Sequence, residues 1–331
     1  MSVLESLKEE LKEGVLENEP LSRHTTFGLG GPARYFYTAQ TLSDLIKAIK
    51  LALKLNLPFF VLGNGSNVLV ADQGFSGFCI KNEARSISII AQKSQVIADS
   101  GVFLSKMVVE AASYDLGGLE FLYGIPGTVG GAIVSNAGVM GASIGDFLIS
   151  ATLFFPSGEI KRLTKRWFEF GYRESRPRHL NPKPIVLSVK LQFASNRREE
   201  ILRKIQHFQK IRSVKQPNER SAGSFFKNPK VDSAWAEKYL RMSGISDGEI
   251  LETVRKTGHI PAGWLLEQVG AKTMKVKAAR VSKKHANFLI NYKGKATASQ
   301  IRQLAEQVKK KVYERFGILL EEEIEYLGDW K

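Results

Sequence analysis

The sequence contains very little cysteine and little histidine. Its 331 residues include one cysteine, Cys79, so no disulfide framework and no cysteine-based metal site can form within one chain. We predict no metal site and expect a reducing compartment, the cytoplasm. The five histidines stand at positions 24, 179, 207, 259 and 285.

Long apolar runs are also missing. The N-terminal segment MSVLESLKEELKEG has the pattern of an amphipathic helix and lacks the basic start and apolar core of a signal peptide. One uncharged run, 121–145, is long enough to test as a membrane span, but it carries seven glycines, Pro126 and Asn136. A lipid-facing helix could not easily carry them. We expect a buried stretch that lines a ligand, and no membrane contact.

Acidic residues are outnumbered, with 33 against 48 basic residues and a formal net charge of +15. Such an excess suits nucleic acid or small polyanions such as phosphates. The basic residues are spread along the chain, with no basic tail and no recognised nucleic-acid motif. The sequence therefore favours small polyanions, and a nucleic-acid-binding protein remains the weaker alternative.

Local patterns predict a mixture of helices and strands. A charged helix is predicted over 196–217, where Pro217 ends it, and it indicates a domain boundary between the two halves of the chain. Further elements are predicted from apolar periodicity. They are helices over 41–56 (capped by Ser43 or Asp44), 233–244, 261–270 and 296–317, a hairpin over 149–163, and strands over 184–193, 285–294 and 318–328.

Two glycine-rich segments are candidates for binding a ligand through the backbone. GNGSNVLV (63–70) places two glycines between apolar strands, where free N–H groups can meet phosphate oxygens, although a plain turn fits equally well. It is neither a dinucleotide-binding fingerprint nor a P-loop. GIPGTVGGAIVSNAG (124–138) has a glycine density that packing alone hardly explains, and its apolar residues argue against a linker.

Three polar motifs are candidates for chemistry. In AGSFFKNP (222–229), Ser224 has no histidine near it in sequence, so it is either a turn residue or a group whose chemistry needs no nucleophile. In YRES (172–175), Arg173 offers a planar charged fork suited to a carboxylate, or a surface ion pair. In LEEEIEYL (320–327), strand geometry puts Glu321, Glu323 and Glu325 on one face, which also suits a charged edge strand.

In order along the chain, these segments resemble the UDP-N-acetylenolpyruvoylglucosamine reductase family, also called MurB. The resemblance extends over almost the whole chain, and the short segment 174–198 is similar to the second type of the family, which lacks an extra loop bearing a tyrosine. The matching segments are RHTTFGLGGPA (23–33), GNGSNVLV, GIPGTVGGAIVSNAG, YRES, AGSFFKNP, PAGWLLEQVG (261–270), HANFLIN (285–291) and LEEEIEYLG (320–328).

The resemblance implies an α+β fold. A two-part FAD-binding domain of the vanillyl-alcohol oxidase (PCMH) type would precede a C-terminal α+β substrate-binding domain. The expected divisions are an N-terminal helix at 1–20, FAD-binding subdomains at 21–80 and 81–205, a UDP-sugar-binding domain at 206–317 and a terminal strand with a catalytic glutamate at 318–331.

The resemblance also implies the reaction. NADPH would reduce bound FAD, and hydride from flavin N5 would reduce the enolpyruvyl ether, giving UDP-N-acetylmuramate for peptidoglycan synthesis. Ser224 would supply the proton, while Arg173 and Glu323 would stabilise the enolate. A glutamate beside an enolate must be protonated to help, so burial or nearby negative charge is expected to raise the pKa of Glu323.

Further site residues follow from the resemblance alone. The implied FAD contacts are Gly63, Asn64, Gly65, Ser66, Asn67, Gly124, Pro126, Gly127, Gly130, Gly131, Asn136 and Gly138. The implied UDP-sugar contacts are Tyr172, Arg212, Lys215, Asn228 and Gln268. We expect a monomer with a small-molecule substrate and no nucleic-acid partner; the alternative enzyme is another FAD oxidase or dehydrogenase of the same fold.

Overall fold

The structure, a computed structural model, describes residues 2–139, 141–242 and 248–330. Its α-helices are α1 Val3–Leu11, α2 Leu42–Lys54, α3 Leu104–Ala112, α4 Val129–Ser135, α5 Arg176–His179, α6 Arg198–Lys215, α7 Ser233–Met242, α8 Gly248–Thr257, α9 Ala262–Gln268 and α10 Ala298–Phe316. In these ranges no helix has both the length and the apolar character that crossing a membrane requires.

The β-strands are short, and several of them have two or three residues. They are β1 Val15–Pro20, β2 Pro32–Ala39, β3 Phe59–Leu62, β4 Val68–Val70, β5 Phe75–Asn82, β6 Ile87–Ile90, β7 Gln95–Asp99, β8 Leu116–Gly117, β9 Gly138–Val139, β10 Ala142–Ser143, β11 Leu148–Phe154, β12 Ile160–Thr164, β13 Ile185–Gln192, β14 Ala194–Ser195, β15 Lys275–Val276, β16 Ala279–Val281, β17 Leu289–Asn291 and β18 Glu325–Leu327.

The first sheet has the strand order β1-β2-β5-β3, and α1 and α2 pack against it. Two expectations are wrong here. The N-terminal helix ends at Leu11, and residues 15–20 pair antiparallel with β2, because the edge of β2 offers unpaired backbone groups. The cap of α2 is Thr41, not Ser43 or Asp44; Asp44 instead completes the capping box.

The second sheet is antiparallel, with the order β12-β11-β13-β7-β6, and its core includes residues of α3, α4 and α6. The predicted hairpin over 149–163 and the strand over 184–193 are confirmed as β11–β12 and β13. The charged helix α6 ends at Lys215, before Pro217, as predicted.

The C-terminal part packs α7 to α10 with the small sheet β15-β16-β17 around one core. The helices over 261–270 and 296–317 are confirmed, and Gly317 adopts the left-handed conformation just after α10. Helix 233–244 is observed to Met242, and its predicted last two residues lie outside the described ranges.

The two strands predicted at the C-terminal end are much shorter than expected. The segment 285–294 contributes Leu289–Asn291, and 318–328 contributes Glu325–Leu327. The terminal strand β18 pairs in parallel with β4 of the first domain, while Glu322 forms an isolated bridge with Phe226. The segment 322–327 therefore contacts both Phe226 and β4. These contacts bring the C-terminal end of the chain beside the loop that precedes β4.

Candidate active site

The two glycine-rich segments lie against each other. Asn64 Nδ2 donates a hydrogen bond to the carbonyl of Pro126 at 2.6 Å. A Cβ at Gly63 would come within 2.6 Å of Thr128 Oγ1, so the close approach requires glycine. Lys81 Nζ donates to the carbonyl of Gly63 at 2.6 Å, and burial lowers the pKa of this lysine.

Several glycines of these segments are explained by internal packing. Gly65 has φ +62°, and a Cβ there would lie 2.2 Å from the carbonyl oxygen of His24. A Cβ at Gly130 would lie 2.7 Å from Ser100, and one at Gly138 would lie 2.3 Å from the oxygen of Ala142. Close packing within the protein therefore explains why several positions of the two segments are glycine.

Gly127 and Gly131 differ from these glycines. A Cβ at Gly127 would meet nothing closer than 3.6 Å, and one at Gly131 would meet only Thr128 Oγ1, also at 3.6 Å. Packing does not demand glycine at either position. In the loop opposite, the N–H groups of residues 64–66 have no acceptor within the described residues. Room for close approach and free donors together fit the pyrophosphate of a dinucleotide such as FAD.

This fit predicts an effect of Gly131→Ala on cofactor affinity alone. Alanine in α4 should leave the thermal stability of the apoprotein unchanged or raise it slightly, because helix propensity favours alanine by about 1 kcal/mol and the site is open. We expect FAD affinity, measured by fluorescence titration, to fall by about tenfold or more, corresponding to about 1.4 kcal/mol. The control is Gly248→Ala at the start of α8, where a Cβ meets no described residue within 4 Å. Equal affinities of both variants would contradict this role.

The YRES segment forms a tight turn that rests on the second glycine-rich segment. Gly171 and Glu174 exchange backbone hydrogen bonds of 3.0 and 3.2 Å, and Arg173 between them has φ +56°. Asn136 Nδ2 donates to the carbonyl of Gly171 at 2.7 Å, and Arg173 Nη2 donates to the carbonyl of Gly138 at 2.8 Å. The glycine-rich segment therefore fixes the unusual backbone conformation of Arg173.

Asn136 has a supporting position in this arrangement. Its Oδ1 also accepts the N–H of Gly145 at 3.1 Å, and the residue is 5% exposed. Both ends of its amide are therefore used inside the protein, which leaves little capacity for the direct FAD contact that the sequence suggested.

Arg173 and Glu323 form a partly buried ion pair. Arg173 Nε lies 2.8 Å from Oε1 of Glu323, and the two side chains are 21% and 17% exposed. Asn67 Nδ2, at the end of the first glycine-rich loop, donates to the carbonyl of Glu323 at 3.2 Å. The pair therefore lies beside the first glycine-rich loop, although its two members come from segments far apart in the chain.

The pKa of Glu323 is raised, and burial is the largest cause. The positive charges of Arg173, Arg178 and Lys227 oppose this increase without cancelling it. The shift has the predicted direction, and burial, one of the two causes considered, is the largest.

Ser224 lies on the segment adjacent to Glu323. The N–H of Glu323 donates to the carbonyl of Phe225 at 2.8 Å, and the N–H of Phe225 donates to the carbonyl of Asn287 at 2.8 Å. Gly223, just before the serine, has φ +76°. The Ser224 hydroxyl makes no hydrogen bond to another described residue, and no histidine is placed as its base. The hydroxyl thus serves no turn and is available to a ligand.

A second group of contacts joins the YRES turn to the segment after Ser224. Lys227 Nζ forms an ion pair with Glu174 and lies 3.4 Å from Oε2 of Glu321. The Tyr172 hydroxyl accepts the N–H of Asn228 at 3.2 Å, and burial raises the pKa of this tyrosine. The structure therefore brings together the predicted substrate residues Tyr172 and Asn228.

The other three predicted substrate residues are placed differently. Arg212 donates from Nε and Nη2 to the carbonyls of Tyr123 and Phe121, both at 2.9 Å, so it holds the residues just before the second glycine-rich segment. Lys215 is exposed at the end of α6. Gln268 is the last residue of α9, whereas Asn228 contacts the first residue of that helix, Ala262. The carbonyl of Gln268 accepts a hydrogen bond from Arg315. The predicted roles of these three residues stay predictions.

Sequence reasoning missed three residues of this region. Asn287 holds Phe226 through two hydrogen bonds, of 3.0 Å from the N–H of Phe226 and 2.8 Å to its carbonyl. Lys227 lies within the AGSFFKNP motif, but the motif alone assigns it no role. Arg178 donates to the carbonyls of both Arg173 and Glu323, and it has no sequence signal, because an arginine three residues after a motif is indistinguishable from a surface arginine.

Comparison with known proteins identifies both halves of the chain. The family described as FAD binding domain matches residues 33–164, and the family described as UDP-N-acetylenolpyruvoylglucosamine reductase, C-terminal domain, matches residues 216–327. These matches confirm the α+β fold with an FAD-binding domain and a C-terminal domain; the exact divisions stay predictions.

Relatives are similar over almost the whole chain. The UDP-N-acetylenolpyruvoylglucosamine reductase of Carboxydothermus hydrogenoformans is 36% identical over 326 residues, covering 98% of each chain. That of Moorella thermoacetica is 37% identical over 321 residues, covering 96% of this chain and 95% of the relative. The crystal structure of UDP-N-acetylenolpyruvylglucosamine reductase (MurB) from Thermus caldophilus matches with a TM-score of 0.71 and 33% identity, covering 94% of this chain and 98% of that one. By sequence and by fold, the chain belongs to the UDP-N-acetylenolpyruvoylglucosamine reductase family.

Proposed function

We propose that this protein is an FAD- and NADPH-dependent oxidoreductase that reduces the enolpyruvyl ether of UDP-N-acetylenolpyruvoylglucosamine, giving UDP-N-acetylmuramate for peptidoglycan synthesis. The observation that carries the proposal is the Arg173–Glu323 ion pair beside Ser224, at the junction of the FAD-binding and C-terminal domains. Reduction of the enolpyruvyl ether needs groups that stabilise its carboxylate and a group that donates a proton. An arginine and a glutamate of raised pKa suit the first need, and a free hydroxyl suits the second.

The cofactor would be held by the two glycine-rich segments. Their free N–H groups and the open sides of Gly127 and Gly131 would contact the phosphates, and Lys81 adds positive charge next to Gly63. When bound and reduced by NADPH, FAD supplies the hydride for the double bond.

The residues of the protein would control the charge and the proton. As the substrate gains hydride, negative charge develops on the adjacent carbon and spreads into the carboxylate. Arg173 would hold that carboxylate in place of its ion pair with Glu323. Glu323, whose raised pKa favours the protonated form, would donate a hydrogen bond to the same carboxylate, and both groups lower the barrier because they are already oriented. Ser224 Oγ would then give its proton to the carbon.

A serine hydroxyl is a weak acid, so its role requires positive charge nearby. Glu323 lies on the segment next to Ser224, and the positive charges of Arg173, Arg178 and Lys227 act on it. These three side chains would provide the positive charge that the serine needs. The predicted UDP-sugar contacts Tyr172 and Asn228 would lie at the rim of this site, next to Lys227.

A spectroscopic titration tests the proposal. We expect flavin absorption to bleach when NADPH is added anaerobically and to return when UDP-N-acetylenolpyruvoylglucosamine is added. Bleaching without recovery by the sugar, together with recovery by oxygen, would favour the alternative of another FAD oxidase or dehydrogenase. A protein that takes up no FAD would overturn both.

The setting of the reaction completes the proposal. We propose a monomer in the cytoplasm; a chain with a single, buried cysteine suits a reducing compartment. Size-exclusion chromatography with light scattering tests the first statement, and cell fractionation the second.

A further inference from the structure

Two of the three proposed catalytic side chains, Arg173 and Glu323, come from segments far apart in the chain, and one arginine contacts the backbone of both. Arg178 Nη1 donates to the carbonyl of Arg173 at 3.1 Å, and its Nη2 donates to the carbonyl of Glu323 at 2.8 Å. The second bond spans 145 positions of sequence. Its Nε also lies 3.9 Å from Oε1 of Glu325.

The position of Arg178 is well determined by its surroundings. It belongs to the one-turn helix α5, with Pro177 buried before it, and its side chain is 11% exposed. A guanidinium presents several N–H donors in one rigid plane, so a single side chain can hold two carbonyls at a fixed separation. A lysine at the same position keeps the charge but cannot reproduce this two-pronged contact.

We propose that Arg178 is a positioning residue, which fixes the distance between Arg173 and Glu323 by holding both of their carbonyls. The inference rests on the proposed roles of those two residues. Arg178 acts on them through the backbone and through its charge, and the donors that it uses for the two carbonyls are already occupied inside the protein. Displacements of about 1 Å in an aligned site cost about 100-fold in rate, so loosening this contact should be visible in catalysis.

The test is Arg178→Lys, with each half of the reaction measured separately in the FAD-loaded enzyme. We expect reduction of the flavin by NADPH to remain within about twofold, because that half does not use the enolate site. Reoxidation by saturating UDP-N-acetylenolpyruvoylglucosamine should slow by about 30- to 100-fold. Rates normalised to bound flavin exclude a simple loss of folded protein.

The matched control is Arg176→Lys on the same helical turn. Its guanidinium lies 3.3 Å from Glu169 and over the ring of Trp167, it is 43% exposed, and it has no role in the proposed site. We expect both half-reactions of this variant to stay within twofold of the parent enzyme. An equal loss in the two variants would show that α5 is merely structural and would overturn the proposal.

A double variant separates this proposal from the one on which it rests. If Arg178 acts through Glu323, then Arg178→Lys should cost much less in a Glu323→Ala background than in the parent enzyme. Normal reoxidation by Arg178→Lys, with Glu323→Ala strongly impaired, would overturn the positioning role alone. Normal reoxidation by Glu323→Ala itself would overturn the proposed catalytic role of the glutamate.

Discussion

Ser224→Ala is expected to bleach normally with NADPH but to be reoxidised by UDP-N-acetylenolpyruvoylglucosamine about 1,000-fold more slowly than the parent enzyme, since a well-placed proton donor contributes about 10²- to 10⁴-fold. The hydroxyl is the group proposed to protonate the carbon, and it has no structural hydrogen bond to lose within the described residues. Stopped-flow absorbance of the flavin band measures both half-reactions in one sample.

The matched control for this variant is Ser221→Ala. Ser221 stands three positions earlier on the same segment. Its backbone carbonyl accepts a hydrogen bond from Thr26 Oγ1 at 2.7 Å, and this bond survives the substitution. Rates within twofold of the parent are expected for it. Reoxidation of Ser224→Ala at the parent rate would remove the serine from the mechanism.

Glu323→Ala is expected to lower the rate of reoxidation by about 100- to 1,000-fold, the cost of removing one oriented donor from a site of developing negative charge. It also leaves Arg173 without its partner in a partly buried place. Glu323→Gln keeps a neutral donor of the same shape, so it should retain more activity than the alanine variant. A glutamine variant as slow as alanine would contradict a hydrogen-bonding role and indicate that Glu323 must exchange a proton.

The pH dependence of reoxidation provides an independent test of the same residue. Because burial raises the pKa of Glu323, its protonated form persists to a higher pH than that of an ordinary carboxyl group. Reoxidation should therefore slow as the pH rises through this raised pKa. The decline should be absent in Glu323→Gln, and in Arg173→Met it should move to higher pH, because the arginine charge favours the carboxylate. A decline that persists in Glu323→Gln would have to come from another group.

Local sequence patterns were sufficient for much of the fold. The period of apolar residues predicted α2, α9 and α10 because the buried face of a helix repeats regardless of what covers it. The turn between β11 and β12 was predicted for a similar reason, since Pro-Ser-Gly favours a reversal in any context. Such predictions failed where an available partner decided the outcome, as when residues 15–20 joined the edge of β2.

The candidate site shows the same division. By itself, the sequence determined the ordered motifs that resemble the reductase family, and with them the roles proposed for Ser224, Arg173 and Glu323. The tertiary structure alone decided that β18 crosses to β4, which places Glu323 beside Asn67, and that Arg178 contacts both halves of the ion pair. The physical reason is that helix and strand periods reflect contacts within a few residues, whereas the free energy that closes this site comes from pairings between segments more than 100 positions apart.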